Sequence, residues 1–149
     1  MKSIFDIQIR TEILSRIDSL NQESKAAWGQ MTVAQMVKHC ALCEEYYHGK
    51  LIVKRSFLGR LIGKMAINRM LKDDQSIFQK NASTSPHFRI NNNIANLEIE
   101  KEKWKSLIEQ YSFFDKEYFT HWFFGKMSKE QLGQFIYKHC DHHLRQFSS

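Results

Sequence analysis

Residues 138–147 read KHCDHHLRQF, which places His139, His142 and His143 within five positions. On a helix, residues four apart bring their β-carbons to about 5–6 Å of each other. Two imidazoles so placed can converge on one ion at metal–nitrogen distances of about 2.0–2.1 Å. At about 100° per residue, His143 falls about 40° from His139, and His142 about 60° to the other side. Leu132, Phe135, Ile136, Cys140 and Phe147 centre on the 139–143 side, while Lys138 and Gln134 accompany His142. The expectation is an inward pair, His139 and His143, with His142 turned outward.

A third donor has to come from another helix. The stretch WGQMTVAQM…KHC (28–40) resembles FGKMSKEQL…KHC (124–140). In both, a glycine and a methionine precede a hydroxyl cap, Thr32 or Ser128, and Gln35 or Gln131 completes a capping box. His39 and His139 lie seven and eleven residues past their caps, a difference of about one helical turn. His39 flanks an inner face of Val33, Met36, Cys40, Cys43 and Tyr47, and is the natural third ligand. Neutral imidazole suits zinc, nickel, copper or iron, so spacing does not choose the metal. The competing reading is a set of hydrogen-bonded core histidines. Cys43, one turn past His39, reads as a core thiol within reach of the ion, and Cys40 and Cys140 read as core thiols too. Asp141 and Glu44 read as helix-surface carboxylates.

Long helices must carry these residues. Ile9, Ile13, Ile17 and Leu20 mark a first helix over residues 4–20. After the polar linker NQESKAA, a second runs from Thr32 to about Tyr47. SFLGRLIGKMAINRMLK (56–72) is basic and amphipathic. Its composition suits a membrane-surface helix, but packing of its Leu/Ile/Met side on the domain is the simpler expectation. Residues 73–93 show no periodicity and form a long excursion of a kind that often carries function. A third long helix is marked by Ile94, Leu97, Trp104, Leu107, Ile108 and Tyr111, and the aromatic-rich connection SFFDKEYFTHWFFGKM leads to a last helix over 128–147. Four long helices and one shorter one, with a crossover in the 48–92 connection, predict an all-α four-helix bundle.

Composition agrees with that class. The chain has 149 residues, 42% hydrophobic and 13% aromatic, enough for one domain (1–149) around one core. One proline and six glycines leave few helix breakers. Three cysteines, an odd number, read as reduced thiols in a cytoplasmic protein. No stretch approaches the ~20 apolar residues of a spanning helix. The net charge of +6 comes without a nucleic-acid-binding signature, so neither nucleic acid nor membrane is expected as a partner.

WGQMTVAQMVKHC and HWFFGKMSKEQLGQFIYKHCDHHLRQF together resemble the DinB-like (DinB/YfiT-like) superfamily, in a branch known only as a domain of unknown function. The resemblance implies a bundle of that type, with a divalent transition metal (zinc, nickel or iron) on His39, His139 and His143. Relatives of that kind include metal-dependent enzymes that use low-molecular-weight thiols, so the resemblance implies a transferase-like activity on a small-molecule substrate, and it is compatible with a homodimer. The alternative is a non-catalytic protein with a vestigial metal pocket, whose 54–72 and 73–93 segments bind a ligand or partner. One departure is His121-Trp122, where the branch has His-Pro. Trp122 lacks proline's fixed φ, and His121 is expected to tie the loop to the last helix.

Overall fold

The computed structural model describes residues 1–73, 78–81 and 85–149. Helix α1 (Ile7–Ser19) starts where the Asp6 carboxylate accepts the Gln8 N–H, and it buries Ile13 and Ile17. Helix α2 (Val33–Tyr47) opens on the reciprocal Thr32–Gln35 box. Helix α4 (Leu97–Glu109) is capped by Asn96, and Glu98 and Glu100 in its first turn suit the positive end of the helix dipole. Its fully buried Trp104 anchors the contact with α2, the most extensive helix pairing. Helix α5 (Lys129–Gln146) repeats the box with Ser128 and Gln131 and packs on α1, α2 and the hairpin described next. Every histidine-bearing helix therefore begins at a side-chain lock that fixes its start.

The expectation of an all-α four-helix bundle is corrected. Among the described residues there are five α-helices and a two-stranded antiparallel sheet, a mixed α/β fold that is mostly helical. Strand β1 (Tyr118–His121) pairs with β2 (Gly125–Ser128), Phe119 opposite Met127 and His121 opposite Gly125. A three-residue connection followed by Gly125 at φ +83° closes the hairpin, the left-handed position such loops need. The strands fall within the stretch expected to be an aromatic-rich connection. At four residues each they are too short for alternation to stand out against the surrounding Phe and Tyr.

Helix α3 (Phe57–Met70) forms where expected but faces the other way. Its buried residues are Gly59, Gly63 and Ile67, while Leu58, Leu61, Ile62 and Met65 are exposed. A Cβ at Gly59 or Gly63 would collide with the Phe123 carbonyl oxygen, so the missing side chains let the helix backbone lie on the hairpin turn. Of the 73–93 excursion, residues 74–77 and 82–84 lie outside the described residues, and Pro86–Phe88 form a short 3₁₀ turn.

Candidate metal centre

His39 comes from α2, and His139 and His143 from α5; the three rings meet in the interior. Their centroids are 5.4 Å apart for 39–139, 4.9 Å for 39–143 and 4.8 Å for 139–143. All three are buried, at 4%, 8% and 8% exposure. Burial, the largest cause, holds the His39 pKa below its usual value and those of His139 and His143 well below it. For His139 the neighbouring rings push the same way. The cluster is therefore three neutral imidazoles, the form that binds metals.

Their hydrogen bonds fix where the protons sit. His39 Nδ1 is 2.8 Å from the Phe88 carbonyl oxygen, which can only accept, so Nδ1 carries the proton and Nε2 keeps a lone pair. The Cys43 thiol, 3.8 Å from that Nε2, is then the donor to it. The Gln146 amide donates from Nε2 to the Trp28 carbonyl at 2.7 Å, which leaves Oε1 to accept from His143 Nδ1 at 3.0 Å. His143 thus also keeps its lone pair on Nε2. Among the described residues, buried Nδ1 of His139 has no hydrogen-bond partner. Such an orphan in an apolar interior costs about 1–3 kcal/mol unless something binds it.

Among the described residues, two donor groups have all their ligand atoms within 4.8 Å of one another: His39, Cys43 and His139, and Cys40, His139 and His143. The trio expected from the sequence, His39, His139 and His143, is not itself one of these groups: His39 and His139 fall in the first, His139 and His143 in the second. Burial, followed by neighbouring charges, pushes the Cys40 and Cys43 thiols well above their usual pKa. They stay protonated, and the imidazoles are the ready donors. These buried His and Cys groups could hold a metal ion, and neutral imidazole is the form in which histidine ligates one.

Several surrounding residues depart from expectation. His142 does not turn outward: it is half-buried between Trp28 (ring centroids 5.6 Å) and Phe78 (5.8 Å). Its polar neighbours Lys138 and Gln134 are buried, Lys138 donating to the Asp73 carbonyl and Gln134 to Glu130, and Phe78 lies against Phe135 on the same helix. Glu44 is fully buried rather than on the surface. It accepts from Tyr111 Oη at 2.5 Å and from Cys140 Sγ at 3.4 Å. Burial raises its pKa to about 7, against the lowering effect of Tyr111, Cys140 and the Trp104 indole, the last near the carboxylate but outside hydrogen-bond geometry. Asp141 is the helix-side carboxylate expected, paired with Arg16 (2.9 Å) and Arg145 (2.7 Å).

His121 bonds within its own turn rather than to the last helix. Its Nδ1 accepts the N–H groups of Phe123 and Phe124 at 3.1 and 3.2 Å, and its ring meets Phe135 of α5 edge-on. Burial pushes its pKa down to about 3. Trp122 supplies what proline could not: its N–H donates to Tyr46 Oη at 2.6 Å and ties the turn to α2. Sequence reasoning missed Gln146 and the Phe88 carbonyl. The signal for Gln146 was available, since a polar residue three positions after His143 lies on the same helix face. A backbone carbonyl leaves no such trace.

No helix among the described residues is long and apolar enough to cross a membrane. Neither a search of curated proteins nor one of solved structures gives a match. The family described as a protein of unknown function, DUF1569, is matched over residues 2–149, and the chain belongs to that family.

Proposed function

We propose that His39, His139 and His143 hold a divalent transition metal, zinc, nickel or iron, in the manner of the DinB-like superfamily, and that the site serves thiol transfer to a small-molecule substrate. The observation that carries this reading is the pair of outer hydrogen bonds, His39 Nδ1–H to the Phe88 carbonyl and His143 Nδ1–H to Gln146. Each fixes a tautomer and leaves an Nε2 lone pair, the usual arrangement around metal-bound histidine. When bound, such an ion acts as a Lewis acid that lowers the pKa of a thiol or water beside it. The chain's own part is to keep three imidazoles neutral, to hold two of them in orientation, and to exclude water. Phe135, stacked at 6.2 Å on His139, serves the last purpose.

A non-catalytic reading, with a vestigial metal pocket, draws on the Cys43 thiol beside His39 Nε2, which satisfies one lone pair within the protein. Metal analysis separates the two. Protein purified without a histidine tag, after growth with zinc, nickel and iron, is expected to carry about one ion per chain. His139→Ala and His143→Ala should each lose it. A metal-free wild type would sink the proposal, and unchanged content in both variants would move the site elsewhere.

A further inference from the structure

Helix α3 presents to solvent the face an amphipathic helix normally hides. Phe57, Leu58, Leu61, Ile62 and Met65 are 77%, 55%, 69%, 38% and 70% exposed. At about 100° per residue they cover an arc of about 140°, centred opposite the buried Gly59–Gly63–Ile67 edge. Five bulky apolar side chains along a 14-residue helix are more than the scattered exposed residues of an ordinary surface. Ile52, on the segment leading into the helix, is 98% exposed.

The charges around this stripe say what covers it. Lys54, Arg60, Lys64, Arg69 and Lys72 are exposed, and among the described residues none of them is in an ion pair. Between Glu45 and Asp73 the sequence has no acidic residue. A second copy of the chain docked on this face about a two-fold axis would set these cations against their own kind. An anionic surface would neutralise them. Exposed Phe, Leu, Ile and Met flanked by Lys and Arg, on a helix seated on the body by its Gly59–Gly63–Ile67 edge, are what an interfacial helix requires.

We propose that α3 docks the protein onto the surface of an anionic phospholipid bilayer, with Phe57, Leu58, Leu61 and Met65 entering the interface and Arg60 and Lys64 meeting lipid phosphates. The helix lies in the plane of the surface and does not cross it. Seating Gly59 and Gly63 on the Phe123 carbonyl fixes the apolar stripe relative to the hairpin, so the protein docks in one orientation.

Flotation of the full chain with phosphatidylcholine vesicles, and with vesicles also containing phosphatidylglycerol, tests this. Binding is expected only to the second, with release by salt. Arg60→Gln with Lys64→Gln should weaken it about thirtyfold, and Leu61→Glu with Met65→Glu should abolish it. These side chains are exposed, so circular dichroism and melting should match wild type. Leu61→Trp gives a readout independent of those variants: its emission should shift to the blue on anionic vesicles alone. Equal partitioning into both vesicles, or none into either, overturns the proposal. So does a wild-type dimer that Leu61→Glu dissolves, since the face would then join two copies.

Discussion

Helices α2 and α5 begin alike and are put to different use. A glycine stands three residues before each cap, Gly29 at φ +82° and Gly125 at φ +83°, and each cap is a complete box. What closes over the two glycines differs. A Cβ at Gly29 would lie 2.6 Å from Gln146 Nε2, and one at Gly125 would lie 3.2 Å from Arg55 Nη1. Gln146 holds the His143 ring, whereas Arg55 donates to the His121 carbonyl at 2.6 Å. The same backbone solution thus supports the imidazole cluster at one end of the site and the hairpin at the other. The neighbour that fills the glycine's empty side decides which.

Acid should separate the two regions most strongly. His39, His139, His143 and His121 all have folded pKa values below 6.5 because of burial. Below about pH 6.5 the unfolded chain binds protons that the folded chain refuses. Stability is full above that pH and falls, by ~1.4 kcal/mol per pH unit for each group, down to that group's folded pKa. Glu44, raised to about 7, has the opposite sign: its contribution is greatest below 4.5 and fades as pH rises to 7. The histidines outnumber it. In denaturant titrations between pH 7 and 5, His121→Asn should flatten the decline by up to one proton. The double change His139→Asn with His143→Asn should flatten it by more. Equal flattening would erase the distinction between hairpin and cluster.

Metal affinity sharpens the contrast. Gln146→Ala removes the acceptor for His143 Nδ1–H, and zinc affinity is expected to fall about 10–100-fold. Gly29→Ala displaces the same amide and should follow it, whereas Gly125→Ala should leave zinc titration unchanged. Both glycine variants should lose about 1–2 kcal/mol of stability from the left-handed backbone alone. An equal loss of zinc affinity in both would show that the glycines do one job. The caps give the smallest effect: Thr32→Ala and Ser128→Ala should each cost about 1 kcal/mol in chemical denaturation. Here the two helices should behave as equals.

The helices bearing the trio were legible because their signals are local: two capping boxes, and apolar steps of three and four residues. Counting residues past the caps places His39 and His139 on similar helix faces, and the family resemblance joins His39 to His139 and His143; the three ring centroids do lie within 5.4 Å of one another. The direction of α3 was not legible. Periodicity reports that a stripe exists, and only the carbonyl under Gly59 and Gly63 makes the opposite edge the buried one. Glu44 and His142 were misplaced for a related reason. The residues that bury them, Tyr111 and Phe78, are distant in sequence. The hairpin was missed because four-residue strands among aromatics carry no readable alternation.

The Gln146 amide has a consequence for assembly. The side chain reaches Trp28, 118 positions away, and the backbone carbonyl of Gln146 accepts the Ala27 N–H at 2.8 Å. If the 27–29 segment is undocked, nothing dictates which way the amide points, and His143 can carry its proton on either nitrogen. A chain with α2 and α5 already formed and paired would hold the cluster without a defined proton position on His143. The tautomer of His143 is therefore a record of tertiary docking, written only when the linker before α2 closes against the last turn of α5.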